Sequence, residues 1–105
     1  DRRGTVIAGG FLKGDQLDRF KGPTHLFIDS QSNLYVSDTQ NHRVMKWLNG
    51  SFTGVVVAGG NGGGMELSQL SDPEGIWVNG YGDVYVVDSL NDRIMRWNRG
   101  AKVGT

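Results

Sequence analysis

The chain of 105 residues has no cysteine and only two prolines. The first absence excludes disulfides, thiolate metal sites and thiol nucleophiles, and leaves the cellular compartment unspecified. Charge of one sign is lacking too. Eleven basic and eleven acidic residues give a formal net charge of zero, which argues against nucleic acid as a partner, because phosphate contacts require a basic face. No apolar run is long enough to span a bilayer, so no membrane association is expected, and Asp1-Arg2-Arg3-Gly4 lacks the apolar segment of a secretion signal. A start at Asp1 rather than Met reads as a processed chain or as an excised or engineered piece. The glycine run Gly59-Gly60-Asn61-Gly62-Gly63-Gly64 has no Lys-Ser or Lys-Thr ending, and there is no Gly-Xaa-Ser-Xaa-Gly elbow. Neither a nucleotide cradle nor a serine nucleophile is therefore expected.

Glycine is abundant, at 17 residues, and is interleaved with Val, Ile, Tyr and Trp. With 37% hydrophobic and 21% charged residues, this is the composition of one small domain, and the glycine spacing predicts many short strands joined by tight turns. The chain also repeats itself. Asp38-Thr39-Gln40-Asn41-His42-Arg43-Val44-Met45-Lys46-Trp47 returns as Asp88-Ser89-Leu90-Asn91-Asp92-Arg93-Ile94-Met95-Arg96-Trp97, and the same offset relates Ala8 to Ala58, Pro23 to Pro73 and Tyr35 to Tyr85. An offset of about fifty residues lies in the range of propeller and solenoid units.

Each unit reads as four short strands. A proline-led strand (Leu26 to Ile28, Ile76 to Val78) enters a five-residue turn rich in Asp, Asn, Ser and Gly, then a Tyr-centred strand (Leu34 to Val36, Val84 to Val87). The Asp-to-Asn stretch follows, where Asp38 and Asn41, or Asp88 and Asn91, can bond their own backbone and reverse the chain into Val44 to Trp47 or Ile94 to Trp97. A last hairpin leads into Val55-Val56-Val57, matched near the N-terminus by Thr5 to Ala8. The connections Phe11 to Gly22 and Asn61 to Asp72 read as irregular, the second as flexible. The fold expected is all-β, two four-stranded antiparallel propeller blades per chain, because sheets apolar on both faces need a sheet stacked on each side.

At these residues the chain resembles the NHL repeat: Asp-Xaa-Xaa-Asn-Xaa-Arg-Val/Ile after a Tyr-centred strand, preceded by a proline-led strand and followed by Val-Xaa-Ala-Gly-Gly. The likeness covers essentially the whole chain. Asn41-His42-Arg43 matches the name-giving tripeptide with Arg in third place, and the second copy has Asp92 where His would stand. The resemblance implies a six-bladed propeller, of which this chain encodes two blades. Residues 1–9 would be an outer strand completing a neighbouring blade, 23–59 the first blade, and 73–105 a second blade lacking its full outer strand. Closure by oligomerisation then follows: Val6, Ile7 and Ala8 of one subunit would pair with Arg93, Ile94, Met95, Arg96 and Trp97 of the next, head to tail. Three chains would give six blades, with dimers and tetramers as competitors.

No catalytic, cofactor or metal residue is assigned. His25 is expected to line a central channel; three copies in a trimer could in principle bind zinc, but no carboxylate adjoins. His42 reads as a hydrogen-bonding turn residue, since its counterpart Asp92 shares only that capacity. Arg43 and Arg93 could grip an anion, but bonding to Asp38 and Asp88 accounts for both partners at once. Some NHL proteins resemble this chain in fold and are metal-dependent lyases of peptidyl-hydroxyglycine, but two histidines offer no comparable cluster. Other NHL propellers bind RNA through a basic face, here Lys13, Arg19, Lys21, Arg43 and Arg93, against a neutral overall charge. Asn49-Gly50-Ser51 fits a glycosylation acceptor, Asp15 and Asp18 read as solvated, and Phe11 and Phe20 are candidate partner contacts, Phe20 being expected instead to pack under its loop. The function expected is a non-catalytic, self-assembling scaffold for protein or peptide binding.

Overall fold

A computed structural model describes residues 3–8, 17, 19–51 and 53–105. Within these, two antiparallel sheets follow each other along the chain. The first holds β1 (Pro23–Ile28), β2 (Leu34–Asp38), β3 (Arg43–Trp47) and β4 (Val55–Gly59), in that spatial order. The second holds β5 (Pro73–Val78), β6 (Val84–Asp88) and β7 (Arg93–Trp97), again in chain order, without a fourth strand. The strands run up to three residues beyond the apolar cores read from the sequence. Phe11, Lys13, Asp15 and Asp18 lie outside the described residues.

The turns between the first two strands of each sheet show how local chemistry sets register. Asp29 accepts the N–H groups of Gln31 and Asn33 at Oδ1, both at 2.9 Å, closing an Asx turn that places Ile28 opposite Leu34. In the second sheet Asn79 does this work, accepting from Tyr81 and Asp83 at 3.0 Å each. The amide and the carboxylate have exchanged ends: Asn33 donates to Asp29 at 3.2 Å, and Asn79 to Asp83 at 3.1 Å. Either order leaves one free oxygen to receive the N–H two residues past the third strand, Asn49 to Asn33 and Arg99 to Asp83.

Cross-strand pairing sorts the side chains by face. Leu26, Val36 and Met45 stand together, as do Ile28, Leu34 and Trp47; Phe27, Tyr35 and Lys46 share the opposite face. We call these the Trp47 face and the Tyr35 face, and their counterparts the Trp97 face and the Tyr85 face. The main core lies between the sheets, where Tyr35, Val44 and Ala58 of the first meet Val78, Val84, Val86, Met95 and Trp97 of the second, with Leu70 from the connection. A smaller core backs the Trp47 face, where Leu34, Val36, Met45 and Trp47 are covered by Phe20 and Ala8. Phe20 packs on Trp47 with ring centroids 4.9 Å apart, as expected from its alignment with Leu70.

Three local readings differ from the sequence expectation. Residues 3–8 form no strand, since a strand exists only as part of a ladder and none runs beside them. The Asp38 and Asp88 carboxylates do not cap their own turns; the reversals are single 3-10 turns, Thr39–Asn41 and Ser89–Asn91, each closed by a residue at positive φ, His42 (54°) and Asp92 (51°). The Asn61 to Asp72 connection is tied across its base: Gly63 bridges to Leu70, Asn61 donates to the Ser68 carbonyl at 2.9 Å and Gln69 to the Asn61 carbonyl at 3.0 Å.

Candidate interaction surfaces

The repeated Asp-to-Arg motif is an internal staple. Asp38 is fully buried, receiving the Lys21 N–H at Oδ1 (2.7 Å) and the Asn41 amide (2.9 Å) and Arg43 Nε (2.7 Å) at Oδ2. Asp88 repeats this with Ser71 N–H (2.6 Å), Asn91 (2.9 Å) and Arg93 (2.7 Å). The guanidinium then reaches the connection before each sheet, Arg43 to the Arg19 carbonyl and Arg93 to those of Met65, Glu66 and Gln69. A charge-assisted cluster with every partner bonded fixes the turn against the preceding connection. It commits both guanidinium groups to holding the turn, Arg43 buried and Arg93 partly exposed.

His42 is also a joint. Its Nδ1 accepts the Asp72 N–H at 3.1 Å, linking the turn of the first sheet to the residue before Pro73 of the second. Beside it Thr39 donates to the Pro73 carbonyl at 2.7 Å, a buried bond between sheets. His25 lies exposed on β1, next to β5, with Nδ1 3.2 Å from the Thr24 hydroxyl. Among the described residues no three His, Cys, Asp or Glu side chains are grouped to hold a metal ion. Asn49 is exposed in the β3–β4 hairpin, where Gly50 takes φ of 83°.

The sheet junction is asymmetric: the Tyr35 face of the first packs on the Trp97 face of the second. Each sheet therefore keeps one face that its repeat partner has covered. Val44 is fully buried in the junction while its counterpart Ile94 is 71% exposed; Val78 is 5% exposed while its counterpart Ile28 is 55% exposed. Trp77 and Val87 flank Ile94, and Leu26 flanks Ile28, all exposed. The Ser89 hydroxyl and Asp92 carboxylate, counterparts of Thr39 and His42, have no hydrogen-bond partner among the described residues and border a shallow pocket of about 360 Å³ with Val87 and Ile94.

The sequence-predicted interface residues fall at the two ends of this arrangement. Val6, Ile7 and Ala8 line a hollow with Ile28, Leu34 and Trp47. Ala8 thus backs the Trp47 face, just as its counterpart Ala58 in β4 belongs to the core that contains Trp97. Arg93, Ile94, Met95, Arg96 and Trp97 form β7, whose outer edge is met by Thr105. Arg96 and Thr105 exchange both N–H bonds at 2.9 Å, in the register of Lys46 opposite Val55. Within one chain the structure does not bring Val6–Ala8 and β7 together; they sit on opposite sheets. Sequence reasoning missed Thr39 as a junction donor, because a hydroxyl in a turn signals nothing until the neighbouring sheet supplies the carbonyl.

No protein-family model matches the chain, and a search of curated proteins finds no match either.

Proposed function

We propose that the two sheets are blades of an NHL-type β-propeller, a non-catalytic scaffold whose ring is completed by further blades of the same repeat and whose loops present a binding surface to protein or peptide. The observation behind this reading is the asymmetric junction. A contact between unlike faces leaves one complementary face uncovered at each end, and such head-to-tail contacts propagate until they close. The non-catalytic part rests on the Asp-Asn-Arg staple, whose polar atoms are occupied in holding the turn.

Magnitudes favour strand exchange as part of closure. Covering Leu26, Ile28, Trp77, Val87 and Ile94 would contribute roughly 1–2 kcal/mol each for the portion buried, on the order of 5–10 kcal/mol in sum. Association costs about 4–15 kcal/mol. Face contact alone is thus marginal, and a ladder of Val6-Ile7-Ala8 along β7 of a second copy supplies the remainder while covering an exposed strand edge. At the same junction Ser89 would donate to the Pro23 carbonyl of that copy, and Asp92 would accept the Gly22 N–H, repeating the bonds made by Thr39 and His42.

Three copies complete six blades. Light-scattering chromatography of the 105-residue chain is expected to give the mass of a trimer, and deletion of residues 1–9 to abolish it. A mass of one or two chains overturns the trimer, and a truncated protein that remains trimeric overturns the strand exchange.

A further inference from the structure

The outer edge of β7 has two claimants of the same sequence. Gly104-Thr105 holds it within the chain, and Gly4-Thr5 is the same dipeptide two repeats earlier. Gly104 is buried: its N–H donates to the Leu67 carbonyl at 2.8 Å, and a Cβ on it would lie 2.7 Å from the Trp97 ring and 2.8 Å from the Met95 methyl group. Gly54 sits on Trp47 and Met45 in the same way, with its N–H on the Leu17 carbonyl at 2.8 Å. The seat over each tryptophan thus takes a bare backbone and excludes a side chain. Gly4 has no such contact. It is exposed, as are Thr5, Val6 and Ile7, and a Cβ on it would meet nothing within 4 Å.

The first sheet shows what a complete fourth strand requires. Lys46 faces Val55, Met45 faces Val56 and Val44 faces Ala58. Carried to β7, this register sets Thr5 of an incoming strand opposite Arg96, Val6 opposite Met95 and Ala8 opposite Ile94. The place opposite Arg96 is the one Thr105 occupies, with both the N–H and the carbonyl of Arg96 bonded to it at 2.9 Å. One edge of a strand pairs with one neighbour. An incoming strand therefore cannot complete its ladder while Thr105 stays.

We propose that Gly104-Thr105 is an intramolecular latch on the β7 edge, evicted when residues 4–8 of a second copy add to that edge. At the two shared positions the exchange is close to balanced, since Gly4 and Thr5 restore the contact with Trp97 and the bonds to Arg96. The incoming strand adds the ladder from Val6 to Ala8. The latch has the advantage of its tether: a segment on a short connection acts at an effective concentration on the order of a millimolar. The second copy prevails only through its added rungs, so the latch makes assembly depend on concentration while covering Trp97 in the single chain. The inference rests on the strand-exchange reading, but a free peptide reads the latch on one chain whether or not a ring forms.

The probe is acetyl-Gly-Thr-Val-Ile-Ala-Gly-Gly-amide, the sequence of residues 4–10, added in excess to the full chain, with amide hydrogen exchange followed by NMR. As the peptide saturates, the Thr105 N–H is expected to lose protection at least about tenfold, while the Arg96 N–H stays protected by its new partner. Gly104→Ala sets a methyl group against Trp97 and weakens the latch, so this chain should bind the peptide about tenfold more tightly. Alanine in place of the peptide's first glycine should weaken binding at least about tenfold, because the same seat excludes it. If the chain is already assembled at the working concentration, Thr105 should be open and Arg96 protected without peptide. Thr105 protected in the peptide complex or in the assembly, equal binding of the Gly and Ala peptides, no tighter binding by a folded Gly104→Ala chain, or no peptide binding at all would overturn the latch. A single-chain mass together with the expected exchange pattern would overturn the ring and keep the latch.

Discussion

Arg43→Ala tests whether the repeated motif is structural, because its cost can be worked from the two copies. The Arg43 side chain is 7% exposed and its Nε lies 2.7 Å from Oδ2 of the fully buried Asp38. Removing it leaves that carboxylate with only the Lys21 N–H and the Asn41 amide. Removing one partner of a buried pair costs about 3–5 kcal/mol, most of it the penalty of the charge left behind. The Arg93 side chain makes the same 2.7 Å contact at 25% exposure. Solvent reaches its carboxylate partner once the arginine is gone, so Arg93→Ala should cost roughly 1–3 kcal/mol. Urea unfolding monitored by tryptophan fluorescence should therefore show Arg43→Ala as the more damaging change. At about 4–8 °C per kcal/mol for a chain of this size, it should lower the melting temperature by roughly 12–40 °C. The double substitution Asp38→Leu with Arg43→Met, which removes both charges, should recover most of the loss. A cost below about 1 kcal/mol for Arg43→Ala, or a larger one for Arg93→Ala, would refute the buried-staple account and return the arginines to the list of ligand groups.

The remaining expectations concern packing, the junction and acid. A Cβ on Gly54 would lie 2.5 Å from the Trp47 ring, so Gly54→Ala should destabilise by about 1–3 kcal/mol and alter the near-ultraviolet circular dichroism of Trp47; unchanged spectra and stability would argue against that contact. Thr39→Val keeps the shape but leaves the Pro73 carbonyl unpaired, and should cost about 1–2 kcal/mol in the same unfolding assay, whereas Gln40→Ala, on the exposed side of that turn, should be nearly neutral. For Asp29, desolvation pushes the carboxyl up, but N–H bonds from Asn33 and Gln31, the Asn33 amide and the Lys46 charge together hold it below the value of 3.8 for a free side chain. The Arg99 N–H, followed by the Asn79 amide, lowers Asp83 in the same sense. Both carboxyls therefore stabilise the fold above the unfolded value, and that contribution is lost as pH falls through their lower folded values. Stability should accordingly decline below about pH 4, less steeply in Asp29→Asn, and an equal decline in the variant would count against this assignment.

Much of the local structure was legible without coordinates. Pro23, the Asx turn at Asp29, the Tyr35 strand and the Asp38-to-Trp47 stretch predict their elements because turn chemistry and side-chain alternation act over a few residues. The repeat at fifty doubles every signal. Asp38 with Arg43 was legible for the same reason, five residues apart across one reversal, although the carboxylate's further bond to the Lys21 backbone was not. What was not legible depended on chain segments distant in sequence: within one chain Thr5 to Ala8 have strand composition but no ladder beside them, and the Asn61 to Asp72 loop is tied by bonds that composition does not reveal.

The sequence by itself thus determined that the protein is β, that it is built from two like units, and which residues turn and which extend. Local sterics and side-chain periodicity are sufficient for that. Only the tertiary structure decided that the Tyr35 face meets the Trp97 face, so that Val44 is buried while Ile94 is bare. Two units with the same pattern of turn and strand residues form the same elements; the difference in burial between Val44 and Ile94 comes from position in the stack, which no single residue encodes. The same stacking brings Lys46 and Arg99, one from each unit, to the walls of a shared cleft.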